Sequence, residues 1–317
     1  MSKNEQPTLT QIAKLSGYSI ATVSRALAGS PRISAATRKK VLLHARQCFY
    51  RPRCRSIAIV THGFENYFSF MLEALHAELL KRGYRVWVIP ESMLALLDEI
   101  SIQGVISLLS ENGLEKIWGT YHACPLLCIN TGHNRLERLF SVTCNDEKAV
   151  TDSIEKLYRS GHRLIGKIGV KYLNNNFNAT RRDVCFQKLA AQLNFTAFSE
   201  DCLNDNYEVF GAIRYLLDQN ITALICTSEI LVHPVLHALS MLRVRIPEEL
   251  SVITWSTSRE DAPDIETYVQ DYSGIAETAV QMLTVLSGGD TPPQGEVQID
   301  YHNFPGHSIG RAAGSFP

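Results

Sequence analysis

The sequence predicts an α/β protein in which a small all-helical head precedes a two-lobed body of parallel sheets. Three observations carry that expectation. The chain has 317 residues, more than the ~100–200 of one ordinary domain. Helix signals are dense as far as Arg55, and from Ile57 onward short apolar runs alternate with helical stretches, the pattern of parallel sheets wrapped by helices. With 45% hydrophobic and 20% charged residues, the composition is that of a folded chain and excludes a disordered one. No apolar run approaches the ~18 residues of a membrane span.

In the head, Thr10 offers a capping hydroxyl to a first helix that places Ile12 and Leu15 three apart, and Gly17-Tyr18 closes it because glycine suits the left-handed position after a helix. Ser19 is the predicted cap of a second helix with Val23, Ala26 and Leu27 on one stripe, stopped by Ala28-Gly29-Ser30-Pro31. Ser34 caps a third, with Val41, Leu42 and Ala45 inward and Arg38, Lys39 and Lys40 outward. Two short helices joined by a tight glycine turn, followed by a third, predict a helix-turn-helix domain.

Charge points the same way. Residues 1–55 hold eleven Lys and Arg against one acid, Glu5, a net of +10, while the whole chain nets −1. A basic head on an acidic body suggests a polyanion for the head and a different ligand for the body. A recognition helix enters the major groove by its N-terminal end, which puts Ser19 to Arg25 against double-stranded DNA. Ile20 and Ala21 suit thymine methyls and close approach, Thr22 and Ser24 suit phosphates, and the Arg25 fork matches guanine O6 and N7. Thr10, Arg32, Arg38, Lys39, Arg53 and Arg55 complete the expected DNA-binding set, holding phosphates without reading bases.

In the body, strands are expected at Ile57–Val60, Tyr84–Ile89, Gly104–Leu109, Pro125–Asn130, Leu164–Val170, Ala223–Thr227 and Ser251–Trp255. Helices are expected at Phe68–Arg82, from Asn145 through Ser160, and at Arg182–Leu193, Phe210–Gln219 and Leu231–Leu242. A ligand of such a fold sits at the C-terminal strand ends, in the crevice between lobes.

Thr10-Gln-Ile-Ala13-Lys-Leu-Ser-Gly17-Tyr-Ser19-Ile-Ala21-Thr22-Val23-Ser24-Arg25-Ala-Leu27, then Arg32-Ile-Ser34, Thr37-Arg38 and Tyr50-Arg51-Pro52, resembles the LacI/GalR family of bacterial repressors. Across the body, Ser160-Gly161-His162-Arg163, Arg182-Asp183, Ile246-Pro247-Glu-Glu-Leu250 and Thr267-Tyr-Val269 resemble that family's periplasmic-binding-protein-like core. The resemblance implies a dimeric regulator on a two-fold-symmetric operator, with the residues matching Ile20, Ala21 and Arg25 against bases. It implies a helix-turn-helix domain over residues 1–55, an N-terminal lobe over 56–144 plus 272–297, and a C-terminal lobe over 145–271 plus 298–317. It also implies an effector site of Phe68, Asn145, Arg182, Trp255 and Ser256, in which Arg182 grips the polar part of the ligand.

Two departures stand out. After Pro52 only Arg53-Cys54-Arg55-Ser56 precede the first apolar run, too few for the family's hinge helix and its leucine wedge. Acidic effector positions are replaced, by Thr254-Trp255-Ser256-Thr257, Cys144-Asn145 and Ser228-Glu229. These changes point away from a plain hexose and toward a small polar or anionic effector, sugar-derived or otherwise, with Arg182 as its partner. A ligand-blind DNA-binding or architectural protein is the alternative, and a cytoplasmic solute-binding protein or sugar-active enzyme the more distant one.

No motif of catalysis, dinucleotide or phosphate-loop binding occurs, so no enzyme activity and no cofactor are expected. Cys124 and Cys128 have no matching second pair, and His233 and His237 lack a third ligand, so no metal is expected. Eight scattered cysteines and a polar N-terminus without a signal sequence fit reduced thiols and a cytoplasmic protein.

Overall fold

The computed structural model describes residues 8–48, 55–110, 113, 125–131, 139–171 and 177–312. Helix α1 (Leu9–Ser16) starts at Thr8, whose side chain accepts from the Gln11 amide while the Gln11 side chain reaches back to the Thr8 amide. That reciprocal cap ties down two otherwise orphaned donors. The expected cap, Thr10, instead lies exposed in the first turn. Gly17 ends the helix at φ 75°, a left-handed position that a β-carbon disfavours. α1 buries Ile12, Ala13 and Ser16 and leaves Leu15 exposed, so the inward role expected of Leu15 falls to its neighbours. α2 (Ile20–Leu27) is capped by Ser19, and α3 (Ala35–Gln47) begins after Ser34, whose hydroxyl accepts from the Thr37 amide at 3.2 Å. Ile12, Val23, Ala26, Leu27, Val41, Leu42 and Ala45 close one small core.

Beyond the head, β1 (Ser56–Thr61), β2 (Arg85–Pro90), β3 (Gly104–Leu108), β4 (Leu126–Ile129), β5 (Phe140–Cys144) and β11 (Glu296–Ile299) form a sheet in the order β11-β5-β4-β3-β1-β2. β1 pairs in parallel with both β2 and β3, Ile57 opposite Val86 and Gly104. Parallel strands covered on both faces read as unbroken apolar runs, and β1, β3 and β4 are buried throughout. α4 (Tyr67–Lys81) packs Met71, Leu75 and Leu79 inward.

The second sheet runs β12-β10-β9-β8-β6-β7, from β6 (Leu164–Val170), β7 (Thr196–Cys202), β8 (Ala223–Cys226), β9 (Ser251–Ser256), β10 (Glu266–Gln270) and β12 (Tyr301–Phe304). All pairs described are parallel except β10 with β12. α5 (Asp146–Arg159) and α6 (Phe177–Leu193) cover one face. α7 (Asn206–Asp218) and α8 (Val232–Met241) cover the other. α9 (Tyr272–Gly288) buries Ile275, Ala279, Val280 and Leu283.

The chain divides into two compact units. One spans residues up to Thr143 plus Ser273–Val297, and the other Cys144–Tyr272 plus the residues from Gln298. No helix among the described residues is long and apolar enough to cross a membrane. The described cysteines are free thiols. Burial holds Cys226 protonated, its pKa pushed up to about 12.

Candidate nucleic-acid interface and the polar cluster of the second unit

The head presents α2 by its N-terminal half. Ser19 accepts from the Thr22 amide at 3.1 Å, and the two hydroxyls lie 2.9 Å apart. This cap holds the first turn rigid while Ile20 stays 49% exposed, although Val23, three residues on, is fully buried. Ile20 and Ala21 are the exposed apolar residues of α2, whose other apolar residues, Val23, Ala26 and Leu27, are buried. Ala21, Ser24 and Arg25 are exposed beside it. Arg32 is exposed after the α2 turn.

The basic residues of α3 are not equivalent. Arg38 was expected to face outward, but its Nη2 donates to the Ser30 carbonyl at 2.8 Å and reaches Gly29 O at 3.4 Å. It ties the loop between α2 and α3 to the helix and leaves Arg38 half-buried. Lys39 is exposed, 4.0 Å from Asp98, and Lys40 lies over the Tyr18 ring at 5.5 Å. Arg55 belongs to the body. Its carbonyl accepts from the Arg85 amide at 2.6 Å, and its guanidinium stands 3.2 Å from where a Gly83 β-carbon would be. Arg53 lies outside the described residues, as do Trp118, Cys124 and Asn174–Asn176.

In the first unit, Phe68 is half-buried on α4, edge-on to Tyr67 at 5.2 Å. In the second unit the C-terminal strand ends converge on a buried cluster around Arg182. Its Nε donates to Asp146 Oδ1 at 2.7 Å, Nη1 to the Thr227 carbonyl at 2.5 Å and Nη2 to the Tyr301 hydroxyl at 2.8 Å. Tyr301 in turn donates to Asp146 Oδ1 at 2.8 Å. The Trp255 indole lies 6.0 Å from the guanidinium and edge-on to Tyr301 at 6.2 Å. Burial alone would lower the Arg182 pKa, but the Asp146 carboxylate beside it holds the guanidinium firmly charged. Next along the helix, Asp183 takes Lys167 Nζ at 2.6 Å, and Asp201 takes it at 3.1 Å, so that buried lysine is matched as well.

Around this cluster, Asp146 Oδ2, Asn178 Oδ1, Ser228 Oγ and Trp255 Nε1 are buried without a protein partner. Trp255 stands within β9, which runs one residue beyond the expected Ser251–Trp255. Ser256 is also on β9, its hydroxyl accepting from Thr267 at 3.0 Å. Asn145 caps α5, accepting from the Lys148 amide at 3.2 Å and donating to Asp300 at 2.9 Å, so it is a helix cap and not a free ligand group. Among the described residues, no group of His, Cys, Asp and Glu is arranged to hold a metal ion.

Comparison with known proteins bears on both halves. Residues 8–53 match the family described as bacterial regulatory proteins, lacI family, and residues 154–309 match the periplasmic binding protein-like domain. The chain carries a lacI-family DNA-binding domain followed by a periplasmic binding protein-like domain. Similar proteins include the HTH-type transcriptional repressor PurR of Yersinia enterocolitica, 24% identical over 92% of this chain and 94% of the relative. Catabolite control protein A of Priestia megaterium is 22% identical over 93% and 96%. In structure, the chain resembles a lac repressor dimer bound to operator and an anti-inducer, at 18% identity and a TM-score of 0.71, with 96% and 100% covered. It also resembles the transcriptional regulator CelR in complex with cellobiose, at 20% identity and a TM-score of 0.69, over the same shares.

With these two domains the chain is a DNA-binding transcriptional regulator with an effector-binding domain. The sequence already offers Asp146, with Asp183, as an ion-pair partner that would make Arg182 structural, and Asp146 is the one that pairs with it. Tyr301, 155 residues beyond Asp146, escapes sequence reasoning, and no local signal points to it.

Proposed function

We propose that the chain is a homodimeric repressor that reads a two-fold-symmetric operator through α2 and answers to a small, neutral, polar effector. The observation that carries the DNA half is α2 itself. Its cap is closed and its core stripe is filled, while Ile20, Ala21, Ser24 and Arg25 stay exposed together. Arg25 supplies base discrimination, and Lys39 and Arg32 hold phosphates. Trp87 and Val88 on the edge strand β2, with Phe70 and Met93 near it in sequence, are exposed at 49%, 41%, 38% and 49%. Such apolar surface supports pairing of two copies through the first unit.

The effector reading follows from charge. Because Arg182 is already ion-paired with Asp146, an anion would have to displace a buried carboxylate to use it. The unpartnered Asp146 Oδ2, Ser228 Oγ and Trp255 Nε1 instead favour a neutral ligand that both donates and accepts hydrogen bonds. This replaces the anionic partner that the sequence suggested.

With α3 ending at Gln47 and β1 starting at Ser56, the link leaves little room for a hinge helix, so the operator stays nearly straight at its centre. Selection of bound duplexes from a random pool, followed by circular-permutation gel shift, tests both points. The expected result is a palindrome with little bend and no dependence on the central step. A bend of tens of degrees that disappears when the central step changes would refute the hinge-free reading, and a non-palindromic consensus would refute the dimer.

A further inference from the structure

Resting on the reading of the second unit as effector-binding, we infer that Tyr301 is an internal ligand of that unit. Its phenol bridges a second guanidinium nitrogen of Arg182 to the same Asp146 Oδ1 that Arg182 Nε bonds, and it must leave before a ligand hydroxyl can take that bridging place. The geometry is a closed triangle. The phenol oxygen accepts from Arg182 Nη2 at 2.8 Å and donates to Asp146 Oδ1 at 2.8 Å, and Asp146 Oδ1 also accepts from Arg182 Nε at 2.7 Å. A hydroxyl that both accepts from a guanidinium and donates to a carboxylate makes the bonds that a ligand hydroxyl would make there.

The ring is held like a bound aromatic. Trp255 stands edge-on to it at 6.2 Å and itself stacks on Tyr268 at 5.1 Å. Tyr301 opens β12, the only antiparallel strand among the described pairs of this sheet. β12 lies at the sheet edge with β10 as its one strand neighbour, and its Asn303 also accepts from Lys156 and donates to Glu266. An edge strand has a strand neighbour on one side only, so exchange of the phenol for an external hydroxyl removes one of the bonds that fix its first residue. The apparent affinity for an effector falls by the fraction of molecules in which the phenol is out.

The test uses the full chain and p-cresol, the Tyr301 side chain as a free molecule. In Tyr301→Ala, millimolar p-cresol is expected to raise the melting temperature and to change the operator half-saturation concentration at least several-fold, with neither effect in the unsubstituted protein. A folded Tyr301→Ala that p-cresol leaves unmoved overturns the inference, as does equal stabilisation of the unsubstituted protein. Should Tyr301→Ala not fold, Tyr301→Phe decides. It keeps the ring and removes only the hydroxyl, and a fall of several degrees in melting temperature is expected; an unchanged melting temperature means the hydroxyl is not engaged. Failure of the unsubstituted protein to bind any selected duplex would instead count against the regulator reading and leave the p-cresol result standing.

Discussion

The two polar regions of this molecule are built in opposite ways. On α2, the hydroxyl and guanidinium groups of Ser24 and Arg25 face water, and only the cap at Ser19 is closed internally. Around Arg182, each guanidinium nitrogen is bonded inside the protein and the partner carboxylate is fully buried. Solvated groups lose little when a partner arrives and sit where bases and phosphates approach. Buried ones are held by a network whose members cannot be removed singly without cost. The exposed groups of the head meet a partner as they stand, whereas those of Arg182 are already engaged within the protein.

The largest expected effect breaks the buried side of that contrast. Asp146→Ala leaves Arg182 charged in the interior without its partner, which costs about 3–5 kcal/mol for a buried pair. Urea unfolding followed by tryptophan fluorescence reads this. A loss below about 1 kcal/mol, the scale of an exposed pair, would show that water reaches the cluster. Arg25→Ala tests the exposed side. Operator affinity should fall by about 1–3 kcal/mol with relaxed preference at one base pair of each half-site, while the urea midpoint stays put. A shifted midpoint would place Arg25 in the fold and not at the DNA.

The same contrast explains what was legible in the sequence. Runs such as Ile57–Val60 and Leu126–Ile129 announce central strands because burial on both faces removes polar residues. β7, with Ser199, Glu200 and Asp201 in its middle, and β12, with His302 and Asn303, are edge strands whose polar residues hide them. α2 was readable because its cap, stripe and exposed face fall within the consecutive run Ser19–Leu27. The Arg182 cluster was not, since Asp146, Thr227 and Tyr301 stand 36, 45 and 119 residues from it and no local spacing connects them. Arg38 shows a further limit. Its outward position on a basic helix is correct by periodicity, yet its long side chain folds back onto the Ser30 carbonyl.

A smaller effect concerns acid. His162 is buried, its Nδ1 2.9 Å from Thr222 Oγ1 and its Nε2 2.9 Å from Ser251 Oγ and 3.1 Å from the Gly310 carbonyl. Burial pushes its pKa down, opposed by the Gly310 carbonyl and aided by the nearby Arg163 charge. A histidine lowered in the folded state takes its proton more readily when unfolded. Its stabilising contribution is therefore complete above the ordinary value of 6.5 and is lost as pH falls below it. The urea midpoint should drop between about pH 7.5 and about pH 5.5, and the drop should shrink in His162→Gln. An equal drop in that variant would assign the acid sensitivity to other groups.

The smallest effect separates contact with phosphate from contact with the protein. Lys39 is 63% exposed and 4.0 Å from Asp98, so it has two possible partners. An exposed pair at that distance contributes about 0–1 kcal/mol and weakens with salt, whereas a phosphate contact releases a condensed counterion and steepens the salt dependence of DNA binding by about one unit. If the phosphate is the stronger partner, Lys39→Ala flattens the slope of log affinity against log salt by about one and weakens binding to all sequences alike. Asp98→Ala then leaves the slope unchanged and strengthens binding slightly, because it removes a competitor for the ammonium. A slope unaltered in Lys39→Ala would leave Lys39 to Asp98 and shift the phosphate role on α3 to Lys40, which lies over Tyr18 and is exposed on the same helix.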